Sequence, residues 1–256
     1  MTSPADPGLR AEQRGSARWL ILDRPRRRNA LTVELMAALA DGIEGTDPAV
    51  ARAVVISGAP PAFCGGGDLA SLGAIAEQGA LAVSEFIYAQ FHRTVRAISD
   101  ARVPVIAAVN GAALGAGLDL AAACDLRYAA ESATFASSWI NVGLVPGMGG
   151  ASWLTAIVGA TRAAELVLLG QTIDAATALD WGLVNGVVAD QDLDHHVAGI
   201  VATIERLPEA ALARSKAALR RAREIGLDAE LAALGAVQGS LLTSEDFRSA
   251  TARFRK

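Results

Sequence analysis

Two glycine-rich turns hold the residues of this chain best suited to chemistry. The first, Phe63-Cys64-Gly65-Gly66-Gly67-Asp68-Leu69, follows the strand-like run AVVISG from Ala53 to Gly58. The second, Gly115-Ala116-Gly117-Leu118-Asp119-Leu120, follows the β-rich run Val103 to Val109 and the pair Asn110-Gly111. Both read as strand, glycine turn, helix, with Asp-Leu at the start of the helix. A helix that opens at such a turn has unpaired backbone N–H groups at its positive end, where a phosphate or a developing oxyanion can be held. Two such turns brought together would give one donor each to a single oxygen, the geometry of an oxyanion hole.

Few other residues compete for that role. Cys64 and Cys124 lie in apolar or glycine-rich surroundings without metal-ligand spacing, so they read as small buried residues and no metal is expected. His92, His195 and His196 fall on predicted helices outside both turns. A net charge of −4 and a pI near 5.4 leave no basic footprint for nucleic acid or a membrane surface. The local run Arg24-Pro25-Arg26-Arg27-Arg28 is the exception. No N-terminal apolar signal core is present, and charged residues, Asn or repeated Gly break each apolar run before ~20 residues. With only two cysteines besides, a reducing, cytoplasmic location follows by elimination.

The elements that must position the turns follow from periodicity. The length of 256 residues, 52% apolar and 20% charged, suits one substantial folded core. Residues 1–14 read as a flexible polar tail and Ala17 to Leu22 as a strand. Leu35, Leu39 and Ile43 recur at helical spacing after Thr32, and Ile87, Phe91, Val95 and Ile98 mark a second helix face over Ser84 to Ile98. Asp125 to Ala129, Ala133 to Phe135 and Val184 to Val188 read as short extended pieces. Asp174 is placed to cap a helix over Ala175 to Trp181. From Gln191 strand signals stop, and Leu193 to Arg206, Pro208 to Ile225, Asp228 to Leu242 and Ser244 to Phe254 all read as helices. The recurrence of strand, turn and helix suggests superhelical turns rather than a Rossmann sheet. The fingerprint reading of Gly115-Ala116-Gly117 is weak as well, because Leu120 occupies the place of the third glycine.

Several stretches in order resemble the enoyl-CoA hydratase/isomerase (crotonase) family: LDRPRRRNAL, ARAVVISGAPPAFCGGGDL, VPVIAAVNGAALGAGLDLAAACDLRYAAESATF, VGLVPGMGG and GATRAAELVLLGQTIDAATALDWGLVNGVV. The resemblance implies an α/β fold. Its parts would be a crotonase-like ββα spiral core over residues 15–190 and a C-terminal α-helical oligomerisation module over 191–256, assembling as a homotrimer or a dimer of trimers. It implies an acyl-CoA thioester as substrate, with coenzyme A as part of that substrate and no separate cofactor. Gly67 and Ala116 would give the two backbone N–H donors to a thioester enolate. Arg26, Arg28, Ala30, Gly65, Asp68, Leu69 and Gly117 would border the coenzyme A and acyl groups, and Phe254 would close over them from the last helix. Asp68 also has a reading as a helix cap.

The acid and base groups depart from the family pattern. Hydratases of the family use two glutamates, since adding water across a conjugated double bond needs an activated oxygen and a proton for the α-carbon. Here the first position is Asp119 and the second is Trp139, whose indole cannot act as a base. Position 147, where isomerases place a glutamate and a dehalogenase branch an aspartate, is glycine. Asp119 is therefore read either as the single acid/base or as a helix-start carboxylate answering the dipole, and Trp139 as an acyl-pocket wall or a core aromatic. Glu77 or Glu85 could supply a replacement carboxylate. The functional readings are an enolate-forming hydratase or isomerase, a decarboxylase, and a catalytically silent acyl-CoA-binding protein.

Overall fold

The computed structural model describes residues 7–224, 234, 237–238, 240–241 and 244–251. It opens with an antiparallel hairpin of β1 (Leu9–Arg14) and β2 (Ala17–Leu22), followed by α1 (Val33–Glu44). Thr32 caps α1 by accepting from the Leu35 N–H at 3.2 Å, and Leu35, Leu39 and Ile43 bury the predicted stripe. Three ββα units come next. The first is β3 (Ala53–Gly58), β4 (Ala62–Cys64) and α2 (Leu69–Ala76). A helical stretch of α3 (Ala80–Ala82), a π-helical segment Val83–Tyr88 and α4 (Ala89–Asp100) leads to the second: β5 (Val105–Val109), β6 (Ala112–Leu114) and α5 (Ala116–Ala123). The third is β7 (Leu126–Ala130), β8 (Thr134–Ala136) and α6 (Gly150–Leu169). Then come β9 (Thr172–Asp174), α7 (Ala175–Asp180), β10 (Gly186–Val188), α8 (Leu193–Glu205), α9 (Glu209–Glu224) and α10 (Glu245–Thr251).

Each unit sends its first strand into one sheet and its second into another. The six-stranded sheet runs β1-β2-β3-β5-β7-β10, parallel beyond the first pair, and the four-stranded sheet runs β4-β6-β8-β9. Strands such as AVVISG are apolar on both faces because both faces are covered. On one face Leu20, Leu22, Val54 and Ile56 meet Leu35, Leu39, Phe63 and Phe91. On the other, Trp19, Ile21, Val55 and Ile106 pack against Leu193, Val197, Val201 and Ile204 of α8. The short strands decide the site. Because β4 and β6 are hydrogen-bonded neighbours, pairing Ala62 with Ala112 and Cys64 with Ala113, the two glycine turns that follow them emerge side by side.

Two expectations change. The tail expected over residues 1–14 is a strand from Leu9 to Arg14, paired along its whole length with β2; its mixed charges mark an edge strand rather than a free segment. Residues 1–6 lie outside the described residues. The boundary near residue 190 is a change of element type and not a break in packing, since α8 covers the main sheet. Lys216 of α9 is also buried, ion-paired to Asp125 at 2.7 Å and donating to the carbonyls of Ile98 and Val103. The predicted helix Asp228 to Leu242 falls largely, and Phe254 wholly, outside the described residues. By length and composition α6 could cross a bilayer, but Gly159, at φ 79° and ψ 162°, interrupts it.

Candidate active site

The glycines let the two turns touch backbone to backbone. A Cβ at Gly117 would lie 2.3 Å from the Cys64 carbonyl oxygen, and Gly66, at φ +106°, would bring one to 3.0 Å from the carbonyl oxygen of Leu114. Only glycine permits both contacts. The first turn is tied down by Leu31, whose N–H donates to Gly66 and whose carbonyl accepts from the Asp68 N–H, each at 2.8 Å. That pairing leaves the intervening N–H of Gly67 outside the bridge. Ala116 is the first residue of α5, so its N–H has no intrahelical acceptor. Gly67 and Ala116 line the same cavity.

Around the first turn the polar residues hold shape. Asn29 is fully buried; its Nδ2 donates to the carbonyls of Ala59 and Ala62 at 2.8 and 2.7 Å, and its Oδ1 accepts from the Arg24 N–H. This fastens the arginine loop to the strand that ends in the glycine turn. Asp68 accepts from the Ser71 N–H at 3.3 Å as the cap of α2 and pairs with Arg24 at 2.8 Å. Burial pushes its carboxyl up, but the Arg24 guanidinium and the Ser71 amide outweigh that and hold it below the usual range. Arg26 and Arg28 are exposed, and the Arg28 main chain lies against Gly65. The carbonyl of Ala30 accepts from Arg24 Nη1. Gly65 and Leu69 line the cavity, whereas Arg26, Arg28, Ala30, Asp68 and Gly117 do not.

The cavity measures about 330 Å³ and is walled by Leu72, Val83, Ile87, Phe91, Trp139 and Leu144. Trp139 is a wall residue, only 9% exposed, and its Nε1 has no hydrogen-bond partner among the described residues. Glu77 and Glu85 are exposed and take no part in the lining. Asp119 is 0% exposed and does not line the cavity either. Its Oδ2 accepts from the Met148 N–H at 3.3 Å and its Oδ1 is unpartnered. Burial pushes this carboxyl up to about 7; the amides of Met148 and Gly150 and the nearby Trp139 indole pull against the shift without reversing it. Gly150 begins α6 directly over the carboxylate, where a Cβ would come within 2.0 Å of Oδ1. Both cysteines are buried, and burial pushes their thiols up to about 12.

Residues 13–256 match the family model described as enoyl-CoA hydratase/isomerase. This chain belongs to that family. A Rhodobacter capsulatus protein named a probable enoyl-CoA hydratase is 37% identical over 235 residues, 92% of this chain and 90% of its own length. A peroxisomal protein of Arabidopsis thaliana, named a Delta(3,5)-Delta(2,4)-dienoyl-CoA isomerase, is 32% identical over 253 residues, 94% and 91% of the two chains. The crystal structure of an enoyl-CoA hydratase from Mycobacterium smegmatis superposes with a TM-score of 0.88 at 32% identity, covering 97% of this chain and 96% of that one. Membership in the enoyl-CoA hydratase/isomerase family therefore makes this chain an enzyme of hydratase/isomerase type and leaves the reaction open, since the relatives carry both names.

Within this family frame, sequence reading passed over Asn29 and Tyr88. Asn29 stands inside the quoted LDRPRRRNAL stretch, and its left-handed φ of 57° beside that of Arg28 is the conformation Asn tolerates best in a tight turn. Tyr88 lies off the predicted stripe Ile87-Phe91-Val95-Ile98, yet it lines the cavity. Its helix is π-wound there, which α-helical periodicity does not anticipate.

Proposed function

We propose that this protein binds an acyl-CoA thioester and stabilises its enolate between the N–H groups of Gly67 and Ala116. The observation that supports the reading is the placement of these two N–H groups, both without an acceptor among the described residues, in one apolar cavity of about 330 Å³. The acyl chain lies against Leu72, Ile87, Phe91 and Trp139, so an unbranched or modestly branched hydrocarbon suits it. Arg26 and Arg28, exposed beside Gly65, face the coenzyme A phosphates, for which guanidinium forks are well matched. Asp68 serves the site by capping α2. Asp119, buried behind the pocket, sets the charge beneath it. Exposed Leu168 and Leu169 on α6 and Val145 on the preceding loop support burial against another copy of the chain, and the homotrimer or dimer of trimers is the assembly that the family resemblance implies.

The test is proton exchange in heavy water with butyryl-CoA and crotonyl-CoA, read by mass spectrometry. Deuterium is expected at the α-carbon of butyryl-CoA, and the product from crotonyl-CoA distinguishes hydration from isomerisation. Ala116→Pro removes one N–H at a first helical position that accepts proline, and exchange is expected to fall by about 10²–10³-fold. A catalytically silent acyl-CoA-binding protein is the second reading, favoured by the lack of any carboxylate among the described residues that line the cavity. Tight binding with no exchange would select it.

A further inference from the structure

We propose that the Tyr88 hydroxyl is the group that exchanges a proton with the α-carbon of the bound thioester. The inference rests on the enolate reading above. Among the described residues that line the cavity, Gly67 and Ala116 included, Tyr88 alone carries a titratable side chain. The carboxylates that could compete are elsewhere: Asp119 is sealed from the cavity, and Glu77 and Glu85 point to solvent. No hydrogen bond within the described residues occupies the Tyr88 hydroxyl.

The backbone is wound to present this side chain. Val83 and Tyr88 both face the cavity although they are five residues apart, a spacing an α-helix would separate by about 140°. The segment Val83–Tyr88 is π-helical instead, closed by the Ala89 N–H donating five residues back to Ser84. Such turns are rare and recur at functional sites. The phenol is also held in place. It packs at ring-centroid distances of 6.4 Å from Phe91 and 5.3 Å from His92, and His92 Nε2 bonds the Gly147 carbonyl at 2.9 Å. Its hydroxyl fills the space over Gly147, 2.6 Å from where a Cβ there would sit. Residue 147 is thus without a side chain, and the tyrosine occupies its volume.

The chemistry balances on this one group. In its phenolate form, the phenolic proton having passed to water, Tyr88 takes the α-proton as the C–H electron pair moves onto the thioester oxygen. The new phenol exchanges its proton with water entering the cavity and returns one to the α-carbon, which restores the thioester and the phenolate. Burial, and then the charge of Asp119, push the phenol up, so Tyr88 rests protonated and its phenolate, a minor fraction, is the stronger base for the α-proton.

The experiment follows deuterium incorporation into butyryl-CoA, with the dissociation constant measured alongside by calorimetry, in the parent, Tyr88→Phe and Gly147→Ala. Tyr88→Phe keeps the ring and its packing; binding is expected within about threefold of the parent and exchange at least about 100-fold slower. Gly147→Ala retains the tyrosine but pushes its hydroxyl aside, and exchange is expected to fall at least about tenfold. Parent-like exchange in either variant overturns the role of Tyr88 while leaving the enolate reading standing. Loss of binding together with exchange in Tyr88→Phe makes the residue a pocket wall and also overturns it. Absence of exchange in the parent removes the enolate reading itself, and the role of Tyr88 with it.

Discussion

Asp68 and Asp119 occupy the same place in two copies of one local pattern, small residues followed by Asp-Leu after a glycine turn, yet the fold gives them opposite surroundings. Asp68 sits at the rim, paired with Arg24 and bonded to the Ser71 amide, and its carboxyl is held below the usual range. Asp119 lies on a helix whose eight residues are all buried, with one amide bond to Oδ2 and no partner for Oδ1, and its carboxyl is pushed up to about 7. The difference comes from the layer each turn faces. α2 runs along the surface over the cavity, whereas α5 is enclosed beneath α6. A repeated motif therefore supplies a backbone device twice, but its carboxylate is structural at one copy and an electrostatic liability at the other.

The largest expected effect comes from removing that liability. The Asp119 carboxyl titrates at about 7 in the fold against an ordinary 3.8. A raised acid is held neutral by the folded state, so its contribution is fully present below pH 3.8 and is lost as pH rises to about 7. The loss is on the order of 4 kcal/mol, at about 1.36 kcal/mol per pKa unit. Asp119→Asn lacks this dependence. In urea unfolding at pH 4 and pH 8, the difference between variant and parent should move in favour of Asn by roughly that amount. A difference independent of pH would mean that Asp119 is not buried as described, and the contrast with Asp68 would vanish.

A second, somewhat smaller effect sharpens the same contrast sterically. A methyl at position 150 would sit 2.0 Å from Asp119 Oδ1 and 2.5 Å from its Cγ, and the fully buried carboxyl would have to turn aside to admit it. Gly150→Ala is expected to destabilise the protein by about 3 kcal/mol, the upper range for overpacking, and the Asp119→Ala background should recover part of it. Additive losses in the double variant would show that the glycine is required for some reason other than the carboxylate.

Strands β2, β3, β5, β7, β8 and β10, α1, the α7 cap and both glycine turns were legible in the sequence because each has a local signature: apolar and β-branched runs, Thr32 and Asp174 at caps, glycine where backbones meet. The three-residue strands β4, β6 and β9 were too short to show one. The approach of the two glycine turns was legible as backbone, whereas the side-chain surroundings were not. Asp119 matches a family position, but its exposure depends on Trp139 and Gly150, which arrive from other units of the chain. Tyr88 was missed because a π-turn displaces it from the α-helical stripe that places Ile87 and Phe91. Asn29 was missed because its acceptors, Ala59 and Ala62, are thirty and more residues away. The strand Leu9–Arg14 was hidden by its charges, since an edge strand buries too little to show alternation.

The smallest effect is expected at the rim. Asp68→Ala removes a cap, worth about 1 kcal/mol, and leaves Arg24 without its ion pair, a contribution of similar or smaller size at a partly exposed position. Because the Asp68 carboxyl lies below its ordinary value of 3.8, its stabilisation is present above that pH and fades as pH falls through the lowered value. The gap between parent and variant should therefore be about 1–2 kcal/mol at pH 7 and should close towards pH 2, the opposite trend to Asp119. The functional consequence follows from the helix it caps. α2 contributes Leu69, Leu72 and Ala76 to the acyl cavity, so fraying its first turn is expected to weaken acyl-CoA binding a few-fold while leaving α-proton exchange at saturation near the parent rate. An exchange rate that falls with affinity unchanged would instead place Asp68 in the proton chemistry, and the division between a structural and a buried carboxylate would have to be redrawn around the rim.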